Sequence, residues 1–295
     1  MPQPSPPHRL PWLDALRGVA LVAMFGYHLA WDLAFLGLID PQFPDRPAFR
    51  LYGHAIAAGF LALAGIGLAL ALRRPGPWPG IWRRLALIAA CAAAISLATH
   101  ALFPDEWIYF GILHCIALGS LLALPLVRAP LWTLLAAIAA TLALPLLVAS
   151  SALDGPAFWW LGLGTRLHQS VDVRPFVPWF GAMLAGVALA RLDLLPRAAL
   201  PGSLRGLAWM GRRSLAIYLL HQPVMLGALY VFATLSAAPP GFARQCGATC
   251  LQTGESPAVC ARGCDCLAAA LEREASPLPP GRLEQLALQC RAPGR

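Results

Sequence analysis

The sequence predicts an all-α integral membrane protein with about seven transmembrane helices and a small, disulfide-tied helical C-terminal tail. Three observations predict it. Of 295 residues, 58% are hydrophobic and 12% charged, whereas soluble domains carry about 25% charged residues. The apolar residues are gathered in blocks, most of them long enough to cross about 30 Å of hydrocarbon at 1.5 Å per residue. Six of the eight cysteines lie between residues 246 and 290. The same composition excludes disorder and collagen-like structure.

The blocks run Leu13 to Ile39, Phe49 to Leu72, Ile81 to Phe103, Trp107 to Val127, Leu131 to Ser150, Phe176 to Ala190 and Ser214 to Leu235. The first is too long for a signal peptide, lacks a small-residue cleavage site and contains Asp14, Arg17, His28 and Asp32, so it is expected to remain as a helix. All 22 basic residues are arginine, which excludes Schiff-base chemistry, and they cluster between the blocks as topology determinants rather than as a nucleic-acid surface. Twelve fall on one side, including Arg73, Arg74, Arg83, Arg84, Arg212 and Arg213, against Arg46, Arg50, Arg166 and Arg174 on the other. The bias predicts a cytoplasmic N-terminus and, with seven spans, an extracytoplasmic C-terminus. Residues 1–12 form the cytoplasmic segment, 13–235 the membrane domain and 236–295 the tail.

In the tail, Cys246 and Cys250 face Cys260 and Cys264 as two C-x-x-x-C pairs. Cysteines four apart share a helical face, so an antiparallel helical hairpin can join Cys246 to Cys264 and Cys250 to Cys260, with Cys266 and Cys290 completing the set. Zinc is the competing reading of such a cluster, but the tail has no histidine and lies on the side predicted to be oxidising. Cys91 and Cys115, inside spans, are expected to be apolar fillers.

An ionisable residue within a span costs about 2.5–3.5 kcal/mol on insertion scales, so it marks either a structural partner or a function. His28 and Asp32, at i and i+4, share a helical face and fit a general base with a carboxylate partner, or a structural pair. Asp14 and Arg17, at i and i+3 near the cytoplasmic interface, fit a snorkelling ion pair; the sharper reading makes Arg17 a contact for an anionic cytosolic ligand. His54 and His114 lie at depths similar to His28, so three histidines from three helices are expected in one layer. Metal binding there has no supporting ligand spacing. His100 and His168 are expected to be solvated. His221 follows Ser214 and Tyr218 and precedes Pro223, a residue that frees backbone carbonyls.

The stretch WLDALRGVALVAMFGYH, Trp12 to His28, resembles the first-helix motif of transmembrane acyltransferases, and GRRSLAIYLLHQP, Gly211 to Pro223, resembles their late-helix motif. With FLALAGIGLAL and PDEWIYFGILHCIAL, the chain from about Leu10 to Leu235 resembles the bacterial branch related to the catalytic domain of heparan-alpha-glucosaminide N-acetyltransferase. The resemblance implies an inner-membrane enzyme that moves an acyl group, typically acetyl, from cytosolic acyl-CoA to an extracytoplasmic glycan hydroxyl or amine, without a metal. Position by position the Asp14, Arg17 and Gly18 motif matches, which implies donor contacts by Asp14 and Arg17, and His28 stands where the superfamily has a histidine important for activity; the residues themselves add Asp32, His54 and His114 as candidates for chemistry and Tyr218 and His221 for the donor side. The lysosomal enzyme carries its proposed active histidine between its first two helices, whereas Leu33 to Gly53 here contains none. Either His28 or His54 takes that role, or this branch does different chemistry. Direct transfer and an acyl-histidine intermediate stay open. A proton-coupled transporter, using the same buried groups as a relay, and a noncatalytic scaffold presenting the tail are the other classes; the halves show no internal repeat to favour a transporter.

Overall fold

The structure, a computed structural model, describes residues 10–166, 170–192, 200–235, 246–247, 249–251, 254–271, 273–274 and 281–291. It is all-helical, with no strand among the described residues. Helix α1 spans Pro11–Phe35 and stops where Gly37, at φ 67°, lets the Leu38 amide reach back to the Leu33 carbonyl at 2.8 Å. That closure ends the helix four residues before the apolar block does.

Helices α2 (Pro47–Leu72) and α3 (Trp78–Leu102) begin at or beside prolines, whose missing amide costs nothing in a first turn. Next come α4 (Ile112–Leu126), α5 (Leu131–Leu147), α6 (Phe176–Arg191), a short α7 (Arg205–Arg212) and α8 (Ser214–Leu235). Four helices are long and apolar enough to cross a membrane: α1, α2, α3 and, in α8, Ser214–Phe232. The other three blocks form apolar helices of 15, 17 and 16 residues, about 22–26 Å of rise and short of a full crossing. The fourth is short because residues 107–111 are drawn into other bonds: the Ile108 amide donates to Thr99 Oγ1 at 3.0 Å, and Gly111 is extended.

Chain contacts divide the molecule into two compact units, residues 1–24 with 52–219 and residues 25–51 with 220–295. The core of the first unit is built from Leu61, Leu134, Met183, Leu184 and Val187, all fully buried, with Cys115 as a small filler among them. Within it, the first part of α1 crosses α7 through two glycines. A Cβ on Gly18 would fall 2.1 Å from the Leu207 carbonyl oxygen, and one on Gly211 would fall 1.7 Å from that of Asp14. Backbone meets backbone there, which explains the glycine that follows Arg17.

In the second unit the tail is stapled by three disulfides, Cys246–Cys264, Cys250–Cys260 and Cys266–Cys290. The first two are pairs that the C-x-x-x-C spacing allows, and the third joins the two cysteines left over. Helix α9 (Pro257–Leu271) buries Cys260, Cys264 and Leu267, and α10 (Arg282–Arg291) packs on it. So small a core relies on covalent ties, as small domains generally do.

Candidate functional site

A cavity of about 880 Å³ opens within the first unit, lined by residues of α1, α2, α3, α4 and the start of α8. Its charged lining is Arg17, Arg73, Arg74, Arg84 and Arg212 against a single carboxylate, Asp14. Arg17 Nη1 donates to Asp14 Oδ1 at 3.1 Å, so the pair expected in α1 is formed. Two guanidinium groups converge over Gly67: a Cβ built there would lie 2.8 Å from a terminal nitrogen of Arg17 and 3.4 Å from one of Arg84. Among the described residues no carboxylate pairs with Arg84. Arg73 Nη2 donates to the Ala190 carbonyl at 2.6 Å, tying the end of α2 to the end of α6. Apolar residues of α2 and α4 and the Tyr218 ring complete the wall. Net positive charge with few internal partners, set in low-dielectric surroundings, attracts an anion strongly. The planar arginine fork suits phosphate oxygens. Five of the arginines that cluster between the apolar blocks thus meet in one place.

The expected donor-side set was Asp14, Arg17, Tyr218 and His221. The first three line this cavity. His221 lies in the second unit, where its ring centroid is 4.9 Å from that of His28 and 5.6 Å from that of Phe25. His28 also meets Tyr27 edge-on at 5.5 Å. Asp32, one turn after His28, is fully buried, but its side chain takes a different partner from the one expected: Gln222 Nε2 donates to Asp32 Oδ1 at 2.6 Å. The i, i+4 spacing put the histidine and the carboxylate on one face; an amide of α8 claims the carboxylate.

His54 and His114, both in the first unit, make separate contacts. His54, in α2, is exposed and edge-on to Trp179 at 5.5 Å. His114 has both ring nitrogens engaged. Nδ1 accepts the Gly111 amide at 3.2 Å, and Nε2 lies 3.1 Å from Ser96 Oγ, whose hydroxyl donates to the Ile108 carbonyl at 2.6 Å. With Nδ1 an acceptor, Nε2 carries the proton and donates to Ser96, so every member of the chain is satisfied by one neutral tautomer. His114 therefore braces the first turn of α4 against α3. His100 packs edge-on to Trp107 at 5.3 Å, and His168 lies outside the described residues. Among the described residues no group of three or more His, Cys, Asp or Glu could hold a metal.

Two participants lie inside the quoted stretch Gly211 to Pro223 or beside it without being singled out as site residues: Gln222, and α7 with Gly211. Gln222 had a signal, since it is an amide inside an apolar block immediately after a histidine. Gly211 opens the quoted late-helix stretch, but its close approach to Asp14 has no local signal, because the crossing partner lies on α1.

The fold and the cavity define a multi-span helical membrane protein with a cationic chamber walled by apolar helices. Over residues 9–223 the sequence matches the family described as Heparan-alpha-glucosaminide N-acetyltransferase, catalytic, and the chain belongs to that family, which makes it by class a membrane acyltransferase. No curated protein and no solved structure matches it.

Proposed function

We propose that the protein takes an acetyl group from cytosolic acetyl-CoA through the arginine cavity and delivers it to an extracytoplasmic acceptor, a glycan hydroxyl or amine. The observation that carries this reading is the convergence of Arg17 and Arg84 over Gly67 in a cavity with five arginines and one carboxylate. Coenzyme A is a polyanion; a chamber with unanswered guanidinium groups fits its phosphates.

In this reading the seven apolar blocks of residues 13–235 all cross or enter the bilayer of the bacterial inner membrane, the arginine side is cytoplasmic, and residues 236–295 are extracytoplasmic. His28 is the base, with His221 beside it. The acceptor N–H or O–H gives its proton to His28 as its heteroatom attacks the thioester carbonyl. The tetrahedral intermediate expels coenzyme A by breaking the C–S bond, and the proton passes to the leaving thiolate. Positioning of the thioester and general-base help of about 10² to 10⁴ in rate are what the protein must supply.

The test uses the full chain purified in detergent and reconstituted in vesicles, with acetyl-labelled acetyl-CoA and either glucosamine or glucose as acceptor. Labelled N- or O-acetyl sugar supports the reading. Absence of both transfer and acetyl-CoA binding overturns it.

A further inference from the structure

Hydrogen-bond accounting around Asp32 leaves an imbalance that one proton would correct. Gln222 Nε2 donates to Asp32 Oδ1 at 2.6 Å, while Asp32 Oδ2 and Gln222 Oε1 are both buried and without a hydrogen-bond partner among the described residues. An ionised carboxylate has only acceptors, and so has an amide oxygen. Two acceptors stranded on the two members of one bonded pair is an arrangement that buried polar groups rarely adopt. A carboxylic acid, in contrast, carries one O–H donor. Placed on Oδ2, that donor is what Oε1 lacks, and amide and acid would then exchange two hydrogen bonds in one ring.

We infer that Asp32 is a neutral carboxylic acid whose Oδ2 proton is donated to Gln222 Oε1, and that Gln222 is the positioning residue that holds this acid beneath the His28–His221 pair. Asp32 makes no ion pair with any described residue, and it is fully buried. The histidines nearest this pair in sequence are His28, one turn before Asp32 on its own helix, and His221, adjacent to Gln222 on α8, and Tyr27 is the next ionisable group on α1. Burying an ion without a counter-ion is costly, and a shared neutral ring avoids that cost. The consequence for chemistry is specific: His28 draws no counter-charge from Asp32. The inference concerns the resting protein and stands whether or not acetyl transfer is its activity.

Infrared difference spectroscopy of the full chain in vesicles at neutral pH, wild type minus Asp32→Asn, reads it directly. The expected result is a protonated-carboxyl carbonyl band present in the wild type, shifted in D₂O and lost in the variant. Asparagine keeps both bonds of the ring as an amide–amide pair, so Asp32→Asn should hold the wild-type Tm, while Asp32→Leu and Gln222→Leu should each lose several degrees. A carboxylate band in place of the acid band, or an Asn variant as destabilised as the Leu variants, overturns the inference. Should Asp32→Asn fail to fold, the D₂O-sensitive band of the wild type decides alone. A wild type that shows the band but transfers no acetyl group would fail the function proposed above and leave the ring intact.

Discussion

His114 and Arg84 are both polar side chains on apolar helices, and their surroundings are opposite. Around His114 each polar atom is answered: backbone amide to Nδ1, Nε2 to Ser96, Ser96 to Ile108. Around Arg84 a second guanidinium from Arg17 approaches over the same glycine, and one aspartate serves the whole chamber. A polar group in a membrane protein that is fully satisfied by its own chain is a brace. One placed beside like charge, facing a cavity, has its partner still to come. The difference sorts candidates that depth and residue type could not.

The comparison breaks first at the histidines. His28→Ala is expected to lower transfer by about 10² to 10⁴ with the protein still folded, the usual range for a lost general base. His114→Ala should leave the rate per folded molecule within about tenfold, because its nitrogens are committed elsewhere. Radiolabel transfer normalised to monodisperse protein checks both, and equal losses would erase the distinction. Next, Arg84→Ala should raise KM for acetyl-CoA about 10- to 100-fold with a smaller change in kcat, as one charged hydrogen bond is worth about 1.5–3 kcal/mol. The wild-type KM should itself rise with salt, and less steeply in the variant. A KM unmoved by the substitution would take the donor away from the cavity.

Smaller effects sharpen the other side. His114→Ala strands the Gly111 amide and removes the donor to Ser96 Oγ, a cost of about 1–3 kcal/mol visible as a lower Tm in detergent. Ser96→Ala removes one link of that chain and should cost about 1 kcal/mol. The smallest effect lies in the segment between α5 and α6, where Asp154 accepts Thr165 Oγ1 and the Thr165 amide, both at 2.6 Å, and the Arg166 amide at 3.1 Å. The Thr165 hydroxyl and these amides hold the Asp154 carboxyl below the usual carboxylate range. Folded-state acidity above that of the unfolded chain means that the turn is stabilised at neutral pH and loosens as pH falls through the lowered folded value. Amide exchange at Thr165, read against Asp154→Asn, should show protection lost only on the acid side.

Much of this architecture is legible from composition and period alone. Block length locates the helices because hydrocarbon thickness sets it, and the i, i+4 spacing allows the partners of four of the six tail cysteines because a helical face does. The arginine cluster is legible as a layer, but its convergence depends on how α1, α2 and α3 rotate, which no local pattern encodes. The break at residues 107–111 rests on Thr99 and Ser96 claiming Ile108 from another helix, so an apolar run was read as one span. Spacing offers Asp32 the nearest suitable residue, His28, whereas its hydrogen-bond partner Gln222 lies 190 positions away.

The cysteine staples carry a practical corollary. Gly254, at φ 83°, lies between Cys250 and Cys260, inside both of the nested loops closed by Cys250–Cys260 and Cys246–Cys264. A protease that nicks the chain there would release nothing: the two pieces would migrate together until a reductant parted them, so a cleaved sample could pass as intact on an oxidised gel.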